Sequence, residues 1–465
     1  MDTAALEALK AAVGPDGWTT DPDRIAPSLT EWRGAWRGQT PLMLTPSTTE
    51  QVAAAVRVCA SHGVAITPQG GNTGLVGGQI PQGEVLLSLR RMRAVRAVWP
   101  LEDVMVLEAG LTLLEAQQTA EAHDRHFPLS LAAEGTATVG GVISTNAGGT
   151  AVLRYGVARD LVLGLEAVLP DGTIFHGLRR LRKDNTGYDL KQLLIGAEGT
   201  LGVVTAATLK LFPVMRSRTT AIVGLTSVAD ALTLLARAKA ETGGGVEAFE
   251  LMNRQGLDLV LEHIPDTREP LEASTPWAVL IELVSGEPGA TQAGMERLLE
   301  AAFEEGLIVD AAVAQTETQA KAFWRLREDM SAAQKAAGGG WKHDISLPLS
   351  TIPDFVDETG AALNAAHPGV RLVTFGHLGD GNLHYNVVPP VGADPEAFAA
   401  LRDEGARIVH DRVAARDGSI SAEHGLGVLK TDEALLYKDP AQVAAMRAVR
   451  AALDPLRIMN PRVLF

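Results

Sequence analysis

The hydrophobic pattern changes period several times along the chain. Ala4 to Val13 repeats apolar residues at helical spacing and predicts a short helix. A loop rich in Trp, Arg and Gly follows (Glu31 to Gly38). Pro46-Ser47-Thr48-Thr49-Glu50-Gln51 then sets a hydroxyl N-cap with an acid and an amide in the first turn. Val52, Val56 and Cys59 share one face of the helix so begun, and Gly63 ends it. Val64 to Thr67, Glu84 to Leu89 and Val104 to Gly110 read as strands. Leu111 to His123 reads as a helix, and Val162 to Leu169 begins a hairpin that turns through Pro170-Asp171-Gly172-Thr173.

Pro213 marks a boundary. Beyond it strand Thr219 to Leu225, helix Val228 to Ala240, strands Gly245 to Leu251 and Trp277 to Val284, and helix Ala290 to Glu305 suggest an α+β unit. Trp324 to Ser331 reads as helix, Trp341 to Pro348 as strand and Pro395 to Ala415 as amphipathic helix. The expected division is 1–215, 216–410 and a mainly helical segment, 411–465.

Composition narrows the field. With 46% hydrophobic and 21% charged residues in 465, the chain builds large cores and is not disordered. Its 41 Lys+Arg against 56 Asp+Glu give a net charge of −15, a field that repels nucleic acid. One cysteine excludes an internal disulfide and fits a reducing compartment. No run of about 18 apolar residues spans a membrane. A cytoplasmic protein is expected.

Three glycine-rich loops stand at strand ends. Pro68-Gln69-Gly70-Gly71-Asn72-Thr73-Gly74-Leu75-Val76-Gly77-Gly78 holds five glycines in eleven residues. Such a loop bares backbone N–H groups to a phosphate. A strand follows it rather than a helix, which excludes a nicotinamide-type βαβ fingerprint. The second loop runs from Thr138 through Gly140, Gly141, Ser144 and Asn146 to Gly148 and Gly149, with Tyr155-Gly156 soon after. The third includes Gly196, Glu198, Gly199, Gly202 and Val203. Together they suggest one extended ligand, a dinucleotide cofactor.

The chemistry concentrates after residue 320. Arg327 and Ser331, four apart, would share a helix face suited to a carboxylate. Lys342, Asp344 and Ser346 would share one side of a strand, with the lysine inviting an anion. In His377-Leu378-Gly379-Asp380-Gly381-Asn382-Leu383-His384, an Asp-Gly turn would set His377 opposite His384, with Asn386 on the same side. Glu423 would add a carboxylate to the two imidazoles, a donor set for Zn²⁺, Mn²⁺ or Fe²⁺. His424 beside it suits a general base.

Pro68 to Gly78, Ile195 to Thr205, Gly376 to His384 and Glu423-His424-Gly425 resemble the FAD-linked oxidoreductases of the vanillyl-alcohol-oxidase type, in the D-2-hydroxyglutarate and D-lactate dehydrogenase branch. The resemblance implies an α+β protein, with a two-part α/β FAD-binding domain and an α+β substrate domain. It implies noncovalent FAD, because Asn72 stands near the place where tethering relatives carry histidine. The expected flavin contacts are Pro68, Gly70, Gly71, Asn72, Thr73, Gly74, Gly77, Gly78, Thr138, Gly141, Ser144, Asn146, Gly148, Gly149, Tyr155, Gly156, Glu198, Gly199, Gly202 and Val203. His377, His384 and Glu423 would hold a divalent metal, zinc first, with His424 as catalytic base. Arg327, Ser331, Lys342 and Asn386 fall where hydroxyglutarate enzymes hold substrate; lactate-type members lack the lysine. The implied activity is oxidation of a D-2-hydroxy acid, with an electron-transfer flavoprotein or quinone as acceptor. D-Lactate oxidation and a flavin-bearing electron-transfer protein with a vestigial site are the alternatives. A homodimer is compatible. Arg462 departs from the family's usual lysine and is assigned no role.

Overall fold

The structure, a computed structural model, describes residues 1–464. It forms two compact units. One comprises Met1–Gly149, Tyr155–Val214 and the chain from Glu423 onward; the other comprises Thr150–Arg154 and Met215–Ala422. The second unit therefore runs past residue 410. His410, in helix Arg402–Ala414, meets His343 of that unit at 3.2 Å, which keeps the helix there.

The first unit has two main sheets. Helix Thr49–His62 starts at the Thr48 cap and stops at Gly63, whose φ of 61° favours glycine. It packs Val52, Val56 and Cys59 into a core with Leu42, Leu44, Ile66 and Leu87. Truncating a leucine in such a core to alanine costs about 2–5 kcal/mol. The four-stranded sheet runs Trp18–Thr19, Met43–Leu44, Val85–Ser88, Ile66–Gln69. Its last pair is parallel, so the glycine loop from Pro68 to Gly78 is part of the crossover between two parallel neighbours.

The five-stranded antiparallel sheet runs Val95–Trp99, Val104–Glu108, Val203–Lys210, Val162–Val168, Ile174–Gly177. Thr112 and Glu115 form a capping box on helix Leu113–Glu121. The chain's last segment is not a separate piece. Ile66 N–H donates to Ile458 O, and Asn460 N–H donates to Ile66 O, both at 2.9 Å. The C-terminal residues thus extend the first sheet.

The second unit is built on a seven-stranded sheet in the order Asp310–Val313, Ser217–Leu225, Trp277–Ser285, Val246–Asn253, Arg371–His377, Asn382–Val388, Asp344–Ser346. All its pairings are antiparallel. One face packs Ile222, Met252, Leu280, Val373 and Phe375 against Leu257, Leu326 and Met330 from helices. The four strands nearest the Asp344 edge bring the histidines, Glu250 and Asp344 to that same face.

Two expected elements differ. The helix through Arg327 breaks in two, Glu317–Glu328 and Met330–Ala336, at Asp329, whose ψ is −2°. That angle is far from the α-helical value and shifts the phase of the following turn. Similarly, Pro395–Ala400 and Arg402–Ala414 replace one long helix.

Candidate active site

The glycine loops of the first unit lock together through their backbones. A Cβ on Gly70 would collide with Thr138 Oγ1, and one on Gly71 with the Thr136 carbonyl. Thr138 caps the short helix Val139–Ser144, which occupies most of the second loop. The third loop joins them through Gly196 N–H to Ile143 O at 3.1 Å and Glu198 N–H to Ser144 O at 2.8 Å. Gly199, at φ 74°, sits against Pro68, and Gly149 against the Ser130 carbonyl. Asn460 Nδ2 donates to Gly78 O at 2.9 Å and to Glu198 O at 2.8 Å. The backbones of all three loops converge on one region of the unit, and at Gly71 and Gly149 an added Cβ would strike rigid backbone. That cradle fits a phosphate-bearing cofactor.

Several expected flavin contacts are engaged within the protein. Asn72 Nδ2 donates to Thr30 O at 3.0 Å. Asn146 Oδ1 accepts from Arg159 N–H at 2.9 Å, Ser144 Oγ donates to Gly140 O at 2.7 Å, and Tyr155 packs edge-on to Phe212. The Glu198 carboxylate accepts from Leu426 N–H at 2.9 Å and Gly427 N–H at 2.8 Å. It thereby anchors the turn that follows His424. Burial pushes the Glu198 carboxyl up, against the pull of those two N–H donors. Arg462 also has a role after all: its Nε donates to Glu84 Oε1 at 2.8 Å, which pins the C-terminal tail.

In the second unit the histidine hairpin holds its face but not its expected register. Phe375 pairs with His384, so His377 lies two positions further on and diagonal to His384. The two-residue Asp-Gly loop is replaced by four residues, Leu378 to Gly381. Asp380 N–H and Gly381 N–H both donate to His377 O at 3.2 Å. Because side chains alternate with period two, a two-residue slip returns both imidazoles to one face. Their ring centroids are 6.1 Å apart. An imidazole bound to Zn²⁺ through nitrogen has its centroid roughly 3 Å from the ion, so the pair fits a shared cation.

Glu250 lies directly across from His377 on the neighbouring strand. Its Oε1 is 2.6 Å from His377 Nδ1, and its Oε2 accepts from Arg327 Nε at 2.7 Å. Burial would raise its carboxyl pKa, but the His377 and Arg327 charges and hydrogen bonds outweigh that and hold it at about 2. Glu250 was not foreseen from the sequence. The available signal was a lone acid in an apolar run, Ala248-Phe249-Glu250-Leu251-Met252.

The four expected substrate residues are not equivalent. Arg327 is buried on Glu250, whereas Ser331 is exposed on the next helix. The helix break therefore removes the shared face expected of them. Asn386 is buried, accepts from His343 N–H at 3.1 Å and donates to Gln334 Oε1 at 2.9 Å. Lys342 is exposed, on the strand-edge segment whose Asp344 pairs with His384. Ala422 N–H donates to Asp344 O at 3.2 Å, so the second unit's chain ends beside its histidine-bearing edge. Glu423 Oε1 is 3.6 Å from His424 Nε2.

The fold and loops define a flavin-dependent oxidoreductase, and comparison with known proteins identifies which group. Residues 40–177 match the FAD binding domain family, and residues 214–464 match the C-terminal domain of FAD linked oxidases. The chain belongs to the FAD-linked oxidases of the vanillyl-alcohol-oxidase type, in the branch of D-2-hydroxyglutarate and D-lactate dehydrogenases.

It is 40% identical over 462 residues to the mitochondrial D-2-hydroxyglutarate dehydrogenase of Bos taurus, covering 99% of this chain and 82% of that one. A putative mitochondrial D-lactate dehydrogenase of Schizosaccharomyces pombe is 36% identical, with 98% and 89% covered. Among solved structures, p-cresol methylhydroxylase with substrate bound shares the fold at a TM-score of 0.76 and 16% identity, with 99% and 96% covered. The cytoplasmic expectation is overturned here. The bovine and fission-yeast relatives and the Arabidopsis thaliana D-2-hydroxyglutarate dehydrogenase are mitochondrial by name, which does not support a cytoplasmic assignment. A single buried thiol suits any reducing compartment and does not tell one from another. Among the described residues no helix is long and apolar enough to cross a membrane.

Proposed function

We propose that this protein oxidises D-2-hydroxyglutarate to 2-oxoglutarate, with FAD as hydride acceptor and a divalent cation, zinc first, held by His377, His384 and Glu423. The observation that carries the cation site is the pair of imidazoles on one sheet face, one of them tied through Nδ1 to a buried carboxylate. When bound, the flavin takes the hydride from C2 and the cation polarises the 2-hydroxyl.

The chain's own residues do the rest. His424 takes the hydroxyl proton, and its turn is anchored by Glu198. Lys342 receives the distal carboxylate. Asn386 holds the His343 backbone beside Lys342 and so sets where the ammonium projects. An electron-transfer flavoprotein or a quinone would accept the electrons that bound FAD gains. The relatives named for D-2-hydroxyglutarate support the dicarboxylate, and the one named for D-lactate supports the monocarboxylate as second reading. Anaerobic bleaching of the bound flavin across D- and L-2-hydroxy acids, with and without chelator, tests the proposal. Rapid bleaching by D-2-hydroxyglutarate alone, abolished by chelator, is the expected result. Faster bleaching by D-lactate would replace the substrate, and no bleaching by any acid would overturn the activity.

A further inference from the structure

Glu250 is fully buried in an apolar strand, where an unpaired carboxylate would be strongly unfavourable. Both its oxygens are taken, one by His377 Nδ1 and one by Arg327 Nε. The contact with His377 follows from strand register rather than from a flexible reach. An ionised carboxylate only accepts hydrogen bonds. Nδ1 of His377 must therefore carry a proton, and in the neutral ring that binds a cation the lone pair is then on Nε2. Arg327 also lies 4.7 Å over the Phe375 ring, whose centroid is 4.9 Å from that of His384. One arginine thus braces the strand that carries His377 and the ring that abuts His384.

We propose that Glu250 is a positioning residue that locks His377 in the Nδ1–H tautomer and presents Nε2 to the cation, with Arg327 holding Glu250 in register. This deepens the cation-site reading above and rests on it. It also assigns Arg327 to the cation site, acting through Glu250.

The isosteric variant Glu250→Gln gives a directional test. Arg327 can only donate, so the amide must offer it the oxygen and turn its NH₂ toward His377. Nδ1 must then accept, the proton moves to Nε2, and the ligand nitrogen is blocked. The protein is prepared with FAD bound, stripped of metal and labelled with ¹⁵N-histidine. Long-range ¹H–¹⁵N spectra read the His377 tautomer, and Zn²⁺ affinity is measured by competition with a chromophoric chelator.

Wild type is expected to show Nδ1–H. Glu250→Gln is expected to show Nε2–H, to bind Zn²⁺ about 10–100-fold more weakly, and to keep its flavin and its circular dichroism. Adding Arg327→Met frees the amide to rotate back, and should restore both tautomer and affinity. A Glu250→Gln protein with wild-type tautomer and affinity would overturn the inference while leaving the cation site intact. Wild-type protein that binds no Zn²⁺ would instead remove the cation site itself. Should Glu250→Gln fail to fold, wild-type spectra decide, and Nε2–H there overturns the tautomer assignment.

Discussion

Replacing Lys342 with methionine should convert a dicarboxylate preference into indifference. Trp341 bridges Val387 and Asp344 pairs with His384, so Lys342 points to the same face as Asp344, one pleat further along. Two residues of strand span roughly 7 Å. The carbons C1 and C5 of an extended five-carbon diacid are about 5 Å apart, and the lysine side chain easily covers the difference. A charge-assisted hydrogen bond is worth about 1.5–3 kcal/mol when enclosed. Lys342 is exposed, and solvent screening brings the figure to the low end, near 1.4 kcal/mol, which is about tenfold. Lys342→Met should therefore lower kcat/KM for D-2-hydroxyglutarate about tenfold, mostly through KM, and change D-lactate by less than about twofold. Steady-state kinetics with an artificial acceptor, on both acids and at two salt concentrations, measure it. The wild-type preference should also shrink as salt rises. Equal losses on both acids would refute the reasoning, because they would place the lysine at the shared carboxylate or in the scaffold.

Three other outcomes follow from the first unit. Gly71→Ala, whose Cβ meets the rigid Thr136 carbonyl, should cost about 1–3 kcal/mol of local fit and release flavin, read as absorbance per chain after gel filtration; full flavin occupancy would show that the loop yields freely. Burial raises the Glu198 carboxyl pKa, so its stabilising contribution is complete below the ordinary value of 4.5 and is lost as pH climbs through the raised one. Against Glu198→Gln, wild-type melting temperature should consequently fall on going from acid to neutral pH, and a constant difference would contradict the shift. Cys59 is buried with its thiol pushed up to about 12, so a thiol reagent at mildly alkaline pH should find none in the folded protein and one per chain in denaturant.

The histidine hairpin shows what the sequence can and cannot carry. Face is a matter of parity, and two histidines seven residues apart around a turn meet on one side whether the loop holds two residues or four. Register is set by the rest of the sheet. Here it follows Phe375 against His384 on one side and Glu250 against His377 on the other. The cap at Thr48 and the stop at Gly63 were equally legible, because capping is settled within a few residues. Contacts across long separations were not. Nothing near Glu250 announces a histidine 127 residues away, and nothing near Ile66 announces strand-like partners at Ile458 and Asn460.

The break at Asp329 was hidden for a different reason. No glycine or proline marks it, and Asp329 still donates to Arg325 O and accepts from Ala333 N–H like a helical residue. Its consequence is nevertheless large. Across it Ser331 lies on the surface and Arg327 in the core. The arginine instead pairs with Glu250, the buried acid beside His377. A residue type suited to gripping a substrate carboxylate thus meets a carboxylate of the protein itself.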